Sequence, residues 1–228
     1  MMSQTPLPSM FNPLPPVVFA LFVILAGIEF WLTIGPFTLD ELDAFVWRAE
    51  MVEHYAMHSN VTLWMIENNK YPSGHLVRFV SFSFVNESIL NTAIACALLL
   101  ALGKIVGSVF SAIALLVFFV VSAAVGAFIF SLAVPDGGWL IGSFTGIYGL
   151  IGAYTFIMWI TLRLNSYPQG SAFNLIALLM GIQLVLSVLF NDTHSWIADL
   201  TSFVTGFFLS FLFFPGGPSK VMVLLRKA

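Results

Sequence analysis

The sequence predicts an all-α membrane protein: a bundle of six transmembrane helices with a long amphipathic first outer loop. Of the 228 residues, 59% are hydrophobic and only 8% are charged, whereas a soluble domain has about 25% charged residues. The apolar residues also fall into six runs, each near the roughly 20 residues that a helix needs to cross a bilayer. The lipid bilayer is therefore the solvent that this composition suits.

Turn signals rich in Gly, Pro, Asn and Asp separate the six runs, as at residues 135–138 and 215–218. One membrane domain, residues 16–214, is expected between an N-terminal tail (1–15) and a basic cytoplasmic C-terminal tail (215–228). The predicted spans cover residues 16–37, 82–102, 109–134, 139–162, 172–190 and 196–214.

The charges of the short loops predict the orientation of the bundle. Lys104, Arg163 and the basic C-terminal tail fall on one side, and Asp136 and Asp192 fall on the other. Because basic loops face the cytoplasm, both termini are expected to be cytoplasmic and the first loop to lie outside. Short loops of this kind suit a bacterial inner (plasma) membrane.

Charge and cysteine content exclude several classes of function. A net charge of -3 with no basic stripe indicates no nucleic-acid partner. Cys96 is the only cysteine and lies in an apolar run, so it predicts a small buried hydrophobe and excludes both an internal disulfide and a cysteine metal site. No metal-ligand spacing joins the carboxylates, and no metal or cofactor is expected.

The first loop, residues 38–81, is the only long one. Its apolar residues recur at helical spacing, which predicts amphipathic helices at the membrane interface with Trp47 and Trp64 as anchors. We interpret this loop as a lid on the outer leaflet.

From residue 40 to residue 214 the chain resembles the rhomboid family of intramembrane proteins. The fourth-span motif is the most specific part of the resemblance. The motifs are Trp47-Arg48 in the first loop, HLVRFVSFSF before the second span, Asn91 within it, GIYGLIGA in the fourth span and ADLTSFVTG in the sixth.

The resemblance implies a serine-type endopeptidase that cuts substrate helices inside the membrane. Rhomboid proteases have the serine in Gly-x-Ser-x at the start of the fourth span and the general base in Ala-His-x-x-Gly in the sixth. A His-x-x-x-Asn pair in the second span helps to stabilise the oxyanion. Such catalysis needs a base beside the weakly nucleophilic hydroxyl and donors placed for the oxyanion.

Three of the four chemical positions differ from that pattern. When the motifs are aligned without a gap, Phe144 takes the place of the nucleophile and Asp199 that of the general base. In the second span Glu87 takes the place of the histidine, and Asn91 is retained. A phenyl ring is no nucleophile, and an ionised carboxylate cannot donate to an oxyanion. The sequence therefore predicts a pseudoprotease, with the Phe144 ring rather than a hydroxyl opposite Asp199.

Two alternatives remain open from the sequence. Ser143 and His194 could form a rearranged catalytic dyad in an active intramembrane serine endopeptidase. If Ser143 has only a structural role, it is expected to bond to a backbone carbonyl. Glu29, Glu87 and Asp199 lie in or near spans, where charge is costly, and they suggest a proton-linked channel or transporter.

The structural interpretation of these carboxylates assigns them polar partners. Glu29 would either pair with a polar group such as Gln183 or stay protonated, and Glu87 and Asp199 would bond to Asn86, Asn91 or Thr201.

Small residues predict close packing of the fourth span against the sixth. The catalytic positions differ from the family pattern, while the small residues that allow close packing are retained. The leading hypothesis is a membrane protein that binds transmembrane helices of client proteins without cleaving them, in a lateral cavity between the second and fifth spans. The small residues are Gly142, Gly146, Gly149 and Ala153 in the fourth span, and Ser202 and Gly206 in the sixth.

Overall fold

The structure is a computed structural model that describes residues 14–34, 41–135, 138–190 and 194–219. The acidic loop residues Asp136 and Asp192, and most of both predicted tails, lie outside the described residues. The described part of the chain is mostly helical. Five of its helices are long and apolar enough to cross a membrane: α1 (Pro16–Ile34), α5 (Ile89–Val106), α6 (Ala112–Ala133), α7 (Phe144–Leu164) and α9 (Trp196–Phe213).

Helix α8 (Asn174–Phe190) occupies the predicted fifth span. It has 17 residues, about 25 Å of helix, which is shorter than the other five. The count of six spans therefore stays a prediction.

Capping residues explain why two helices begin later than hydrophobicity alone predicts. The Ser88 hydroxyl accepts the N–H of Asn91 and starts α5 at Ile89, and Ser111 caps α6 in the same way. A side-chain oxygen that satisfies a free N–H of the first turn favours a helix start at that point. Residues Phe82–Phe84, predicted within the second span, instead form a separate 3-10 turn.

The first loop contains three helices, α2 (Glu41–Tyr55), α3 (Ser59–Asn68) and α4 (Ser73–Ser81). Between α2 and α3, strand β1 (Met57–His58) pairs antiparallel with β2 (Trp139–Leu140), with Met57 opposite Leu140. Residues 139–140 were predicted within the fourth span, so the strand delays the start of α7. The pairing joins the first loop to the segment that leads into α7.

Helices α6, α7 and α9 form the centre of the bundle. Buried side chains of these helices, such as Phe118, Ile147 and Phe156, form one hydrophobic core that also includes residues of α1 and α5. A second cluster joins Met57 and Leu140 of the strand pair to α6 and Ala198 of α9. The first loop is therefore packed onto the end of the bundle at which α7 and α9 begin.

Glycines allow α7 to approach its neighbours closely. A Cβ atom on Gly206 of α9 would collide with the backbone of Gly149, and one on Gly152 would collide with the carbonyl of Phe203. Gly152 was not part of the predicted small-residue face.

The other members of that predicted face lie differently. Gly146 faces the ring of Phe119 on α6, and Ala153 is buried. Gly142 precedes α7 with a φ of +111° and so does not belong to a helix face, because the helix begins only at Phe144.

Candidate functional site

Ser143 is completely buried at the start of α7 and bonds to Asn86. Its backbone N–H and its hydroxyl both donate to Oδ1 of Asn86, at 2.9 and 3.0 Å. Gly142 makes the turn before it and donates its N–H to the carbonyl of Phe82. An amide oxygen accepts a hydrogen bond but does not take up a proton at neutral pH. The partner of Ser143 is thus a side-chain amide, not the backbone carbonyl expected, and it does not activate the hydroxyl.

His194 does not complete the rearranged dyad in this structure. It lies in the exposed turn before α9, whereas Ser143 is inaccessible. No imidazole of the described chain forms a hydrogen bond with the Ser143 hydroxyl, whose partner is Asn86. A nucleophilic serine needs a base within hydrogen-bond reach.

Asp199 contacts a hydroxyl, which corrects one expectation from the sequence. Thr145 Oγ1 donates to Oδ1 of Asp199 at 2.8 Å, while the half-buried Phe144 packs against the core. One residue along a helix turns the side chain by about 100°. Thr145, one place after the position that the ungapped alignment assigns to the nucleophile, is therefore the residue that faces Asp199.

The second carboxylate oxygen of Asp199 bonds to α8. Gln183 Nε2 donates to Oδ2 of Asp199 at 2.7 Å, and the hydroxyl of Tyr148 donates to Oε1 of Gln183 at 3.2 Å. With Thr145, these side chains form a polar chain that joins α7, α8 and α9. Asp199 is only 3% exposed, so each oxygen of its carboxylate has a protein donor in place of water.

Glu29 has a different partner from the one expected. Arg48 of α2 binds the Glu29 carboxylate with both terminal nitrogens at 3.0 Å, and Thr92 of α5 donates to it at 2.7 Å. Gln183 lies instead on Asp199. A bidentate arginine pair combines charge with fixed geometry, so the buried Glu29 is neutralised by a residue of the first loop.

The Trp47-Arg48 pair fastens the first loop to the bundle. The ring of Trp47 lies edge-on to Trp31 of α1, with centroids 5.3 Å apart. Arg48 also donates to the backbone carbonyl of Asn86 at 2.8 Å. Asn86 therefore links Arg48 to Ser143, and sequence analysis missed this role because Asn86 does not belong to a recognised spacing.

The side chains of Glu87 and Asn91 form no hydrogen bond with Ser143 among the described residues. Glu87 is exposed and Asn91 is half-buried, and in the described part of the chain neither side chain forms a hydrogen bond. Asn91 takes part only through its backbone N–H, which donates to Ser88. The positions of the second span that would stabilise an oxyanion are not organised around a nucleophile here.

The three carboxylates considered for proton transfer do not form one network. Glu29 and Asp199 belong to hydrogen-bond groups that share no residue, and Glu87 lies at the surface. Among the described residues, no group of three or more His, Cys, Asp or Glu side chains lies close enough to hold a metal ion.

Comparison with known proteins agrees with the helical architecture. A model of the Rhomboid domain matches residues 73–216, more than half of the chain, from α4 to the turn after α9. The match includes Ser143, Thr145 and Asp199 and leaves out Glu29 and Arg48. No curated protein matches the sequence. With its apolar helices and this domain, the chain is an integral membrane protein that belongs to the rhomboid family.

Proposed function

We propose that this rhomboid-family protein binds transmembrane helices of client proteins and does not cleave them. The observation that supports the proposal most directly is the bonding of Asp199, at the position of the family's histidine, to Thr145 and Gln183. Both oxygens of that carboxylate already accept hydrogen bonds, and its nearest hydroxyl belongs to a threonine. Peptide hydrolysis through a serine needs a base directed at the nucleophile, and neither Ser143 nor Thr145 has a histidine partner.

The surface of α8 supports the binding part of the proposal. Leu178, Ile182 and Val185 are exposed and line a shallow apolar groove of about 440 Å³ together with Ala177 and Gly181. An exposed glycine in a membrane helix lets a neighbouring helix approach closely, with van der Waals contacts as the attraction. This groove lies on the helix that corresponds to the predicted fifth span, one wall of the expected lateral cavity.

A fluorophosphonate probe tests the absence of peptidase chemistry. The purified protein in detergent or nanodiscs is expected to remain unlabelled, because the hydroxyl of Ser143 is buried and bonded to an amide oxygen. An active serine hydrolase labelled in the same tube serves as the positive control. Labelling that disappears in Ser143→Ala would support the endopeptidase alternative and contradict the proposal.

Site-specific photocrosslinking tests the binding of clients. A photoreactive amino acid at Ile182, in the groove on α8, is expected to cross-link to membrane-spanning segments of other proteins in native membranes, identified by mass spectrometry. The matched control is the same amino acid at Ile113 of α6, which is also strongly exposed but lies outside the groove. Equal yields and the same partners at both positions would contradict client binding at α8.

A further inference from the structure

A second, larger cavity lies at the end of the bundle covered by the first loop. It has a volume of about 800 Å³ and is bounded by the end of α1, by α2, by the start of α5 and by β2. Its wall is mostly apolar, with side chains such as Leu32, Val52, Ile89 and Ile141. Neither Ser143 nor Asp199 lines this cavity. Arg48 in its wall is connected to Ser143 only through Asn86, so the cavity is separate from the family's catalytic positions.

Two carboxylates without partners lie in this apolar wall. Glu53 of α2 and Glu87 before α5 both line the cavity and are exposed. Neither carboxylate forms an ion pair or a hydrogen bond with the described part of the chain. Arg78 comes near Glu53 but donates to its backbone carbonyl, at 3.2 Å, rather than to its carboxylate.

The basic residue of the described wall does not balance these charges. Arg48 lines the cavity, but both of its terminal nitrogens bind Glu29 at 3.0 Å. Since that pair is neutral, the cavity has an excess of two negative charges. The indole of Trp139 is also part of the wall and is 40% exposed. Its π-face also attracts a cation, through the quadrupole of the ring.

We propose that this cavity binds a lysine or arginine side chain that flanks a transmembrane segment of a client protein. The inference rests on the proposed client binding and adds the chemical class that is recognised. Such a side chain has an aliphatic stem, which suits the apolar wall, and one cation at its end, which suits Glu53 and Glu87. A Lys or Arg residue at the outer end of a client's span would lie at the level of this cavity. Because basic residues are concentrated at the cytoplasmic ends of spans, such an outer basic residue would distinguish a client from other membrane proteins.

The charges favour a protein partner over a phospholipid. The phosphate of a zwitterionic headgroup would bring a negative charge towards Glu53 and Glu87, and Arg48 is already paired with Glu29. A like charge near these two carboxylates is unfavourable even in water. A basic side chain brings no such anion.

Cross-linking of model peptides tests the inference with the full-length protein in phosphatidylcholine nanodiscs. The probes are two single-span Leu/Ala-rich peptides that differ only in Lys or Gln beside a photoreactive group at one end. We expect the Lys peptide to cross-link to cavity residues with a roughly three- to tenfold higher yield than the Gln peptide, a preference that falls at high salt. In the double variant Glu53→Gln/Glu87→Gln the two peptides are expected to give equal yields.

A charge-matched variant serves as the control. Glu50→Gln/Glu67→Gln removes two carboxylates that are exposed on the same loop but do not line the cavity, and it should retain the preference for Lys. If both double variants lost the preference for Lys equally, net charge alone would explain the preference. That result would overturn the inference.

Two further outcomes would also overturn it. One is an equal yield of the Lys and Gln peptides on the unaltered protein. The other is that dodecylamine binds in the cavity while the Lys peptide gives no cross-links to it. That result would assign the cavity to a lipid amine. In either case, cross-links through Ile182 of α8 would leave the proposed client binding standing, so the two failures are distinguishable.

Discussion

The hydroxyl groups of Ser143 and Thr145, at the start of α7, bond to parts of the chain that are distant in sequence. The hydroxyl of Ser143 bonds to an amide of the segment before α5, and the hydroxyl of Thr145 bonds to Asp199. In both pairs the acceptor is a side-chain oxygen that stabilises the fold. These two hydroxyls therefore act as contacts that join the start of α7 to the segment before α5 and to α9.

Removal of the Thr145 hydroxyl should destabilise the protein. Thr145→Val keeps the size of the side chain but leaves one oxygen of the buried Asp199 carboxylate without a donor, which costs about 1–3 kcal/mol. The measurement is the free energy of unfolding in mixed micelles. Thr161→Val is the matched control, since Thr161 lies on an exposed part of the same helix and bonds to the carbonyl of Ile157 in its own helix. Equal effects of the two substitutions would show that Asp199 does not depend on Thr145.

Elements of the first loop are attached to the bundle by contacts that hydrophobicity does not reveal. Helix α2 is joined to α1 by the Arg48–Glu29 ion pair and by the Trp47–Trp31 contact. Strand β1 joins the same loop to β2. The loop thus has fixed positions on two sides, and the larger cavity lies between them.

Loss of the arginine in α2 should be more costly than loss of the whole ion pair. Arg48→Met leaves the Glu29 carboxylate buried without a cation, for which the expected cost is roughly 3–5 kcal/mol. Glu29→Gln/Arg48→Met removes both charges, and its destabilisation should be smaller than the sum of those of the single variants. Unfolding free energies of the four proteins measure this coupling.

The exposed Lys70 of the same loop provides the control for that cycle. Lys70→Met should change stability little, because surface substitutions away from special features are usually within about 0.5 kcal/mol. Additive effects of the Glu29 and Arg48 substitutions would contradict a direct ion pair.

Acidification should loosen helix α3 through its cap. His58 Nδ1 accepts the N–H of Asn60 at 3.2 Å, and a protonated imidazole loses that acceptor. Burial, together with the nearby Arg78, lowers the pKa of His58 below its ordinary value of 6.5. Since the folded protein then binds fewer protons than the unfolded chain, the stabilisation is complete above pH 6.5. It is lost as the pH falls from 6.5 towards the lowered pKa.

Hydrogen exchange measures this effect as the protection factor of the Asn60 amide at neutral and at acidic pH. His58→Asn supplies a cap that does not titrate in this range, and its protection factor should not depend on pH. A pH dependence that is the same in both proteins would show that another group is responsible.

At the scale of the whole molecule, composition predicted the helical membrane fold because lipid requires long apolar helices with internally bonded backbones. The small residues of the fourth and sixth spans predicted the close approach of α7 and α9, but the ungapped alignment could not show which side chain meets Asp199. That contact depends on a rotation of about 100° per residue. Asn86–Ser143 and Glu29–Arg48 join residues far apart in the chain, and hydrophobic periodicity contains no information on such pairs.

Close packing of the bundle should depend on where a glycine lies rather than on how many there are. A Cβ atom at Gly206 would overlap the backbone of Gly149 on α7, which cannot move without separating the two helices, whereas one at Gly181 on α8 meets no atom within 4 Å. Gly206→Ala should therefore destabilise the protein by about 1–3 kcal/mol, while Gly181→Ala should leave it unchanged or up to about 1 kcal/mol more stable, because alanine favours a helix. Unfolding in mixed micelles compares the two variants directly. A Gly206→Ala protein as stable as the unaltered one would mean that α7 and α9 do not cross at these glycines, and the packing argument for the whole bundle would fail with it.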